Sequence, residues 1–506
     1  GEEADTIFAY KDRQYERSVR VSALHNWTLQ FNRNHRLKID GLFNQNGMSQ
    51  VTERSGVVID NQEEVQNTAL RYRTRRLMTA NLAGEHLFME QRLKLDWGLG
   101  LGASSFEEPD FRIMVYQREA GTNVPFAFPE GQDAVEFGGR YYGDMNESTQ
   151  NGRFNLQYTI KEKDGLRVPF YVKVGGFWER RRREFDARLL TTVSAAIPTV
   201  STFNDSLNTL PLETIFAPDN FYTEPDANGE VGYLLTEVTQ PTDYYEAEQD
   251  LYATYAAVSI PLGDLFSVYT GVRLEHNTQR LSSTLGNGDT VNVDNPIFSV
   301  LPSLNAKLRL SEKWQLRAGY GMSVNRPEFR ELAPFSYLDF FENVILRGND
   351  TLATPRIHNA DFRAEFFPNP GEMITVGVFY KKFIDPIEWF FIPGVTSGGT
   401  RNYTFINAKG ATAYGGELEY RQALGNFIDQ PFVRDLSIFF NAAYIYTQMD
   451  LGDEEAIRSE DPNRPLQGQS PYLINGGLAY ENTQIGLSGS INYNVFGPRL
   501  LVAGVT

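Results

Sequence analysis

Strict alternation of apolar and polar side chains is the feature that most limits what this chain can fold into. In segment 92–103 every odd position is apolar, while the even positions are charged residues or glycine. Segment 314–325 repeats the pattern with its apolar side chains at even positions. Because successive side chains of a β-strand point to opposite faces, each segment predicts a strand with one wholly apolar face.

The same alternation recurs along the chain in segments 154–160, 266–274, 304–310, 374–380, 436–444 and 485–493. Many of these runs approach the ~9–11 residues that a tilted strand needs to cross a bilayer. A strand with lipid on one side and water on the other must alternate in this way. The sequence therefore predicts an all-β fold, a transmembrane antiparallel β-barrel.

Composition favours the same fold. Aromatic residues make up 13% of the chain and there are 43 glycines, yet hydrophobic residues reach only 41%. That balance is typical of a membrane barrel and low for one thick soluble core. The alternative is a soluble sandwich or propeller, whose strands are usually ~5–6 residues long with turns every ~8–12 residues. The longer alternation seen here favours the barrel.

Several classes of function are disfavoured. The chain has no cysteine, which excludes disulfides, thiolate metal sites and thiol nucleophiles, and its net charge of −17 argues against a nucleic-acid partner. The five histidines are scattered without metal-ligand spacing, and no motif of a metalloprotease, P-loop or serine hydrolase occurs. We therefore expect no catalytic residues, no metal site and no cofactor, and interpret the protein as a non-enzyme.

The connections between strands fall into a short and a long class, as in outer-membrane barrels. Long outward loops are predicted at about 105–145, 188–248, 327–354 and 451–470, with lesser outward connections near 48–64, 286–296 and 389–400. This gives about sixteen visible strands, provided that 110–119 belongs to an outer loop. The first strand then runs inward and the last runs outward, so we expect further strands at both ends. One strand before residue 1 and five after residue 506 would make 22, the number found in plugged transporters.

Two stretches of the sequence carry a family resemblance. SVNRPEFRELAPF begins at Ser323, and GNDTLATPRIHNADFRAEFF begins at Gly348. Together they resemble the barrel of TonB-dependent outer-membrane receptors, in particular the subgroup with an RPxFRELAPF…GNxxLxPxxxxNxDxRxE signature. The resemblance implies a 22-stranded barrel with a plug inside, in the outer membrane of a Gram-negative bacterium. It also implies import of scarce nutrients with energy relayed by TonB. The plug and its TonB box are expected outside this sequence.

The signature also has an interpretation from its residues alone. Pro327 breaks strand pairing directly after an alternating strand, so the wall should become an outward loop there. Asn325 continues the water-facing series, so it is a candidate for facing the lumen or a plug. Strict register sends Arg326 to the lipid side, which predicts a position at the membrane boundary. We favour a structural role, in which these residues hold loop 327–354 on the barrel rim, over direct substrate contact.

A polar ladder follows the signature on the next predicted strand. Its members alternate with apolar residues and are Asn359, Asp361, Arg363 and Glu365. Alternation predicts that they face the lumen, where they would hydrogen-bond or ion-pair with a plug or with water.

Charge is concentrated in the predicted outer loops. From 189 to 248 there are ten acidic residues and no basic one, and 105–145 and 451–470 are also acidic. These loops account for the whole net negative charge. They are suited to cationic ligands or divalent ions, although a solvated surface is the commoner role.

Two further groups are candidate contacts at the outer side. Alternation directs two of the consecutive arginines Arg180, Arg181, Arg182 and Arg183 outward and two inward. The outward pair is suited to lipopolysaccharide phosphates and the inward pair to an anionic substrate, with plain solvation as the alternative. The aromatic residues Trp389, Phe390 and Phe391 are predicted either to contact a ligand from outside or to lie in an interfacial girdle.

Two functions from different classes remain. The first is TonB-dependent import of a bulky solute through a plugged barrel, with outer-membrane lipid, lipopolysaccharide and TonB as partners. The second is a passive pore or a structural barrel that anchors surface proteins, for which a surface lipoprotein or other complex subunits are candidate partners. The family resemblance favours import. The substrate is not visible in the sequence.

Overall fold

The computed structural model describes residues 8–59, 61–129, 135–161, 169–197, 200–340, 344–395, 401–428, 430–452 and 464–500. Strands dominate these residues. The helices are single turns: α1 (Val135–Gly138), α2 (Leu212–Ile215), α3 (Phe329–Leu332) and α4 (Pro431–Arg434), with 3-10 turns at Asp205–Thr209, Pro218–Asn220, Pro241–Asp243 and Leu424–Asn426. No helix in the described ranges is both long and apolar enough to span a membrane.

Within the described residues sixteen long strands form the wall, which is one antiparallel sheet that a short seventeenth strand also joins. The first six are β1 (Phe8–Asn32), β2 (His35–Val58), β3 (Glu63–Phe88), β4 (Leu93–Glu119), β5 (Gly139–Lys161) and β6 (Phe170–Ser194). Three short strands then lie in one connection: β7 (Thr202–Phe203), β8 (Glu230–Val231) and β9 (Tyr233–Glu237). The wall continues with β10 (Tyr244–Leu262), β11 (Phe266–Thr284), β12 (Thr290–Arg309) and β13 (Trp314–Val324).

The remaining wall strands alternate with two short hairpin elements. The connection after β13 holds β14 (Ser336–Asp339) and β15 (Val344–Arg347), and the wall resumes with β16 (Arg356–Phe366) and β17 (Met373–Ile384). The next connection holds β18 (Ile387–Val395) and β19 (Arg401–Asn407). The last wall strands are β20 (Gly410–Ala423), β21 (Leu436–Asp450), β22 (Tyr472–Asn482) and β23 (Leu487–Phe496).

Each wall strand pairs with the wall strands before and after it in the chain. Among the described residues, β1 and β23 pair with one wall strand each. One end of the wall has short turns, such as 33–34 and 263–265, and we call the end with the long connections the outer end. The visible strand number agrees with the sixteen predicted from the sequence.

The two faces of the wall are inverted relative to a soluble sheet. The predicted apolar face is exposed: Leu101 is 62% and Trp27 57% accessible to solvent. Polar side chains on the opposite face, such as Gln315 and Glu365, are buried. Because lipid is the natural environment of a continuous apolar outer face, the wall confirms the all-β, alternating prediction.

The strands extend further outward than their membrane-spanning parts. The outward connections predicted near 48–64 and 286–296 shrink to 59–62 and 285–289, since strands continue on both sides. The loops predicted at 105–145 and 188–248 shrink likewise to 120–138 and 195–243. Most of the acidic loop near 451–470 lies outside the described residues.

Segment 110–119 is not an outer loop, which corrects the prediction from sequence. It is the outer part of β4 and pairs with β3 up to Glu63. An irregularity between Glu108 and Phe111 shifts the register, and Asp110 has a positive φ of 64°. Beyond this bulge Phe111 and Ile113 are buried against inner loops. The segment adds length to a strand and no strand to the wall.

The connection between β6 and β10 packs around a hydrophobic core of its own. Phe203, Leu207, Ile215 and Tyr233 are buried there together with Phe128 from the connection after β4. The two connections are joined by a hydrogen bond from the Phe128 backbone N–H to the Asn208 carbonyl, at 2.8 Å. We call residues 200–243 the outer module. Its acidic sequence therefore belongs to a packed unit rather than to an extended loop.

Candidate functional site: the mouth and lumen of the barrel

A second, small sheet lies inside the outer end of the wall. It has the order β14-β15-β19-β18, and β15 and β19 pair in parallel. Parallel pairing is possible because β15 and β19 come from two different connections of the wall, one after β13 and the other after β17. We call these four strands the mouth sheet.

Residues 326–335, RPEFRELAPF, which we call the signature segment, build the hydrophobic core beneath the mouth sheet. Phe329, Leu332, Ala333 and Phe335 are each at most 4% exposed. They pack against inner-face residues of three wall strands, which are Phe185, Tyr245 and Leu281. Burying four apolar side chains of one short segment removes enough apolar surface from water to hold the connection inside the barrel. The RPEFRELAPF sequence is therefore a folding determinant of the mouth.

Polar contacts anchor the far side of the mouth sheet to β2 and β3. The Arg71 guanidinium donates to Tyr337 Oη at 3.2 Å, and the Arg54 guanidinium donates to the Phe340 carbonyl at 2.9 Å. Both arginines are also held by wall carboxylates, Arg71 by Glu108 at 3.1 Å and Arg54 by Asp12 at 2.9 Å. The connection after β13 therefore crosses the lumen and reaches the opposite wall.

The start of the crossing connection is fixed by Arg326. Its guanidinium donates to the buried carboxylate of Glu275 on the inner face of β11. Gln279, four residues further along the same face of β11, donates to the Pro327 carbonyl at 2.8 Å. The prediction that Arg326 faces the lipid was wrong, because β13 ends at Val324 and its register no longer applies.

Asn325 lies at the rim beside Arg326. Its backbone N–H donates to the Pro355 carbonyl at 3.0 Å, which closes the base of the connection, and its side chain is exposed. These contacts are of the structural kind that the sequence analysis favoured for the Asn-Arg-Pro segment.

The second signature stretch locks the two connections together. A Cβ on Gly348 would lie 1.9 Å from the Ala333 carbonyl oxygen, so only glycine fits there. The neighbouring Asn349 donates through its amide to the Phe405 carbonyl on β19, at 2.9 Å. The side-chain NH2 of Asn407, at the end of β19, donates a hydrogen bond to the Ala353 carbonyl at 3.1 Å.

The four consecutive arginines divide between the faces as alternation predicts. Arg181 and Arg183 face inward, where both lie within 3.2 Å of Glu147 and place their guanidinium groups over the ring of Phe329. The inward pair therefore holds the signature segment, and its charge is already neutralised by wall and loop groups. This arrangement differs from the anionic-substrate contact proposed for it.

The outward pair lies on the outside of the wall. Arg180 donates to Asp250 at 2.7 Å, and Arg182 lies 3.4 Å from Glu248. The Arg182 side chain is 60% exposed. Its guanidinium therefore keeps free donors that point away from the barrel.

The three aromatic residues of β18 are neither a lipid girdle nor an exposed ligand platform. Trp389 packs edge-on against Phe405, Phe391 contacts Tyr403, and Phe390 is buried on the other face of the strand. The sequence interpretation missed this because the surrounding strands are too short for their alternation to be recognised. Aromatic contact of this kind stabilises the mouth sheet.

Buried charges cover the second face of β18. Glu388 and Arg464 form an ion pair at 3.1 Å, with side chains 7% and 5% exposed. Burial raises the pKa of Glu388, while the adjacent Arg464 acts in the opposite direction. Gln467 adds a paired bond to the backbone of Trp389, accepting from its N–H at 3.1 Å and donating to its carbonyl at 3.3 Å. The connection after β21 is thereby fastened to the mouth sheet.

The predicted lumen ladder lies on β16 and contacts its neighbouring strands. Asn359 accepts from Lys381 at 3.2 Å, Arg363 lies 3.7 Å from Glu417, and the buried Glu365 accepts from Arg317 at 3.1 Å. A cavity of about 520 Å³ is lined by Asp361, Arg363 and Glu365. The four ladder groups thus share one side of the wall, and three of them border this cavity.

One group of inner-face residues was not predicted from the sequence. β3 carries Arg71, Arg73 and Arg75 at alternate positions, so the three lie on one face. The sequence RYRTRR at residues 71–76 could have predicted this group, because arginines at every second position of a strand lie on one face. Within the described residues there is no group of three or more histidine, aspartate or glutamate side chains that could hold a metal ion.

The comparisons with known proteins agree with this geometry. A family model described as TonB dependent receptor-like, beta-barrel, matches residues 26–503. No curated protein matches the chain. The chain is similar to the solved structure of the copper transporter OprC, with a TM-score of 0.56 and 13% identity, over 99% of this chain and 70% of that one.

Two further solved structures have the same architecture. The ferric yersiniabactin uptake receptor FyuA from Yersinia pestis has a TM-score of 0.52 and 13% identity, over 97% of this chain and 69% of that one. The ferric-catecholate import receptor Fiu from K12 E. coli has a TM-score of 0.52 and 11% identity, over 95% and 70%. At such low identity these likenesses concern the fold.

Proposed function

We propose that this chain, which belongs to the TonB-dependent receptor-like β-barrel family, forms the wall of an outer-membrane receptor that imports a scarce nutrient or bulky solute through a plugged barrel. In the complete protein the wall would have 22 strands around a plug. TonB would act through that plug, in the outer membrane of a Gram-negative bacterium.

One observation carries the choice of import over a passive pore. The mouth sheet and the signature segment fold into the lumen and are fastened to β2, β3, β6 and β11 by ion pairs, hydrogen bonds and apolar packing. A passive pore depends on an open water path, whereas a barrel that covers its own mouth requires a controlled opening. The polar inner face below the mouth is suited to plug contact through Asn359, Asp361, Arg363 and Glu365.

The experiment compares conductance with uptake. The full-length protein is placed in planar bilayers, where a plugged receptor shows no steady ion current and a passive pore shows a large one. In cells limited for iron, cobalamin or oligosaccharide in turn, growth that needs this protein should be lost when TonB is deleted. A steady open current together with growth independent of TonB would support the alternative, a pore or an anchoring barrel.

Lipopolysaccharide is the proposed lipid partner of the outward arginines. Arg182 has exposed donors on the outside of the wall, and guanidinium groups bind phosphate by paired hydrogen bonds. Lipopolysaccharide retained after purification should decrease in Arg182→Gln. Unchanged retention in this variant would remove Arg182 from the lipid contact.

A further inference from the structure

Three arginines on the inner face of the wall have no carboxylate partner among the described residues. They are Arg20 on β1 and Arg73 and Arg75 on β3. Arg73 donates to the Met48 sulfur, at 3.7 Å, and Arg75 lies over the ring of Phe106, at 5.4 Å from its centroid. Each guanidinium carries five N–H donors, so most of their donors remain unused by the protein.

Strand register brings the three together near the outer end of the lumen. Arg20 is paired with Asn46 on β2, and Asn46 is paired in turn with Arg75 on β3, so Arg20, Asn46 and Arg75 form one row across the strands. Arg73 is the next inner-face residue after Arg75 towards the outer end. Asn46 also accepts from Ser18 on the same face, at 3.0 Å. The row lies beyond the apolar band of β4, which ends at Ala103 on the opposite face.

The nearby carboxylates form their ion pairs with other arginines and not with these three. Asp12 is paired with Arg54, and Glu108 is paired with Arg71. Glu16 is the further carboxylate on this face of β1 among the described residues, and it forms no ion pair with Arg20, Arg73 or Arg75. Three cations against one carboxylate leave a positive patch inside a chain whose net charge is −17. Low-dielectric walls around such a patch concentrate its field in the lumen.

We propose that Arg20, Arg73 and Arg75 form a binding site for a small polyanion, a solute that carries two or more carboxylate or phosphate groups. This inference rests on the proposed function and names the substrate class of that receptor as anionic. The guanidinium groups supply paired hydrogen bonds to carboxylate or phosphate oxygens. The Phe106 ring lies against the Arg75 guanidinium, and the Asn46 side-chain NH2 adds a neutral donor between Arg20 and Arg75.

The site is tested by calorimetric binding of citrate and, separately, of inorganic pyrophosphate to the full-length protein in detergent. The double variant Arg73→Gln/Arg75→Gln is compared with Arg76→Gln. Arg76 is the matched control because it adjoins Arg75 in sequence but lies on the outside of the wall. We expect at least one probe to bind the wild type and to bind the double variant about tenfold or more weakly, with Arg76→Gln unchanged. Binding should also weaken as salt rises.

Three results would overturn the site: no binding of either probe to the wild type, equal loss in Arg76→Gln, or undiminished binding in the double variant. If the double variant instead acquires a steady bilayer current while its probe binding is unchanged, the arginines hold the plug and not a solute. Since calorimetry needs no TonB, probe binding that depends on Arg73 and Arg75 would stand even if uptake proved independent of TonB. Conversely, TonB-dependent uptake with no anion binding would leave the receptor function and remove this site.

Discussion

Arg464 Nη1 lies 3.1 Å from Glu388 Oε2, and the two side chains, 76 residues apart in sequence, are both buried. They join the connection after β21 to the edge of the mouth sheet. A buried pair of this kind contributes little over an apolar pair, but removing one partner leaves an uncompensated charge out of water.

We therefore expect Glu388→Gln to destabilise the mouth sheet by about 3 kcal/mol. Hydrogen exchange of the β18 and β19 amides, measured by mass spectrometry, should accelerate accordingly. The control is Lys409→Gln, which removes an exposed ion pair 3.9 Å from Asp450 and should change stability by less than about 1 kcal/mol. Equal exchange in the two variants would contradict the proposed importance of the buried pair.

Gly348 gives a second prediction, from shape rather than charge. A methyl group at this position meets the Ala333 carbonyl oxygen, so Gly348→Ala should displace the signature segment at a cost of about 1–3 kcal/mol. Limited proteolysis of connection 325–355 in intact outer-membrane vesicles measures the loosening. Gly321→Ala is the control, because nothing lies within 4 Å of the added carbon on β13. A proteolysis pattern common to both variants would refute this explanation of the glycine.

Arg183 and Arg182 provide a third, face-specific comparison. Arg183 is 15% exposed, donates to Glu147 and lies over Phe329, whereas Arg182 is 60% exposed on the other face. Arg183→Gln should cost about 1–2 kcal/mol through the lost ionic hydrogen bond and ring contact, since Arg181 still neutralises Glu147. Arg182→Gln should leave folding unchanged. Urea unfolding of the purified protein compares the two, and the reverse order would overturn the assignment of faces.

Asp243 gives the fourth prediction, a pH dependence in the outer module. Burial, reinforced by Asp186, raises the pKa of Asp243 from 3.8 to about 6, although its carboxylate accepts from the Gln240 N–H at 2.7 Å. The folded pKa exceeds the unfolded one, so this contribution is fully present below the unfolded pKa and is lost as pH rises through about 6.

The outer module should accordingly gain about 1 kcal/mol of local stability when the pH is lowered from 8 to 5. Hydrogen exchange, corrected for the intrinsic pH dependence of the exchange rate, measures this gain. Asp243→Asn should remove it. A gain of the same size in that variant would assign the effect to another group.

The membrane-spanning part of the wall was predictable because lipid and water impose opposite chemistry on alternate residues. Leu99 and Leu101 are exposed to the lipid side as their alternation indicated. Above the membrane that constraint ends, so the extension of β4 was missed: beyond its bulge, Phe111 and Ile113 are buried by inner loops instead of facing lipid. The mouth sheet was also missed, since β14 and β15 have four residues each and show no period.

Alternation predicted the positions of candidate residues inside the wall strands, and it failed for candidate residues beyond the strand ends. Inside a strand, parity alone separated Arg181 and Arg183 from Arg180 and Arg182. One residue beyond a strand, parity failed for Arg326, whose direction is set by the buried carboxylate of Glu275. The partners of the β18 aromatics lie on β19 in the same connection, and this hairpin is too short for its alternation to reveal that both of its strands turn inward.

The parallel pairing of β15 with β19 has a consequence for the order of folding. β15 and β19 belong to different connections, so their pairing is not formed within either hairpin. We therefore expect the pair to form only after the wall strands that carry the two connections, β13, β16, β17 and β20, have aligned. Contacts between residues far apart in sequence cost conformational entropy, because the intervening chain must be ordered before the contact forms. Pulse-labelled exchange during insertion should therefore show protection of the wall before the mouth sheet, and protection in the reverse order would contradict this sequence of events. On this order the wall would insert with an uncovered lumen, and the inner cover would be the last part of the protein to form.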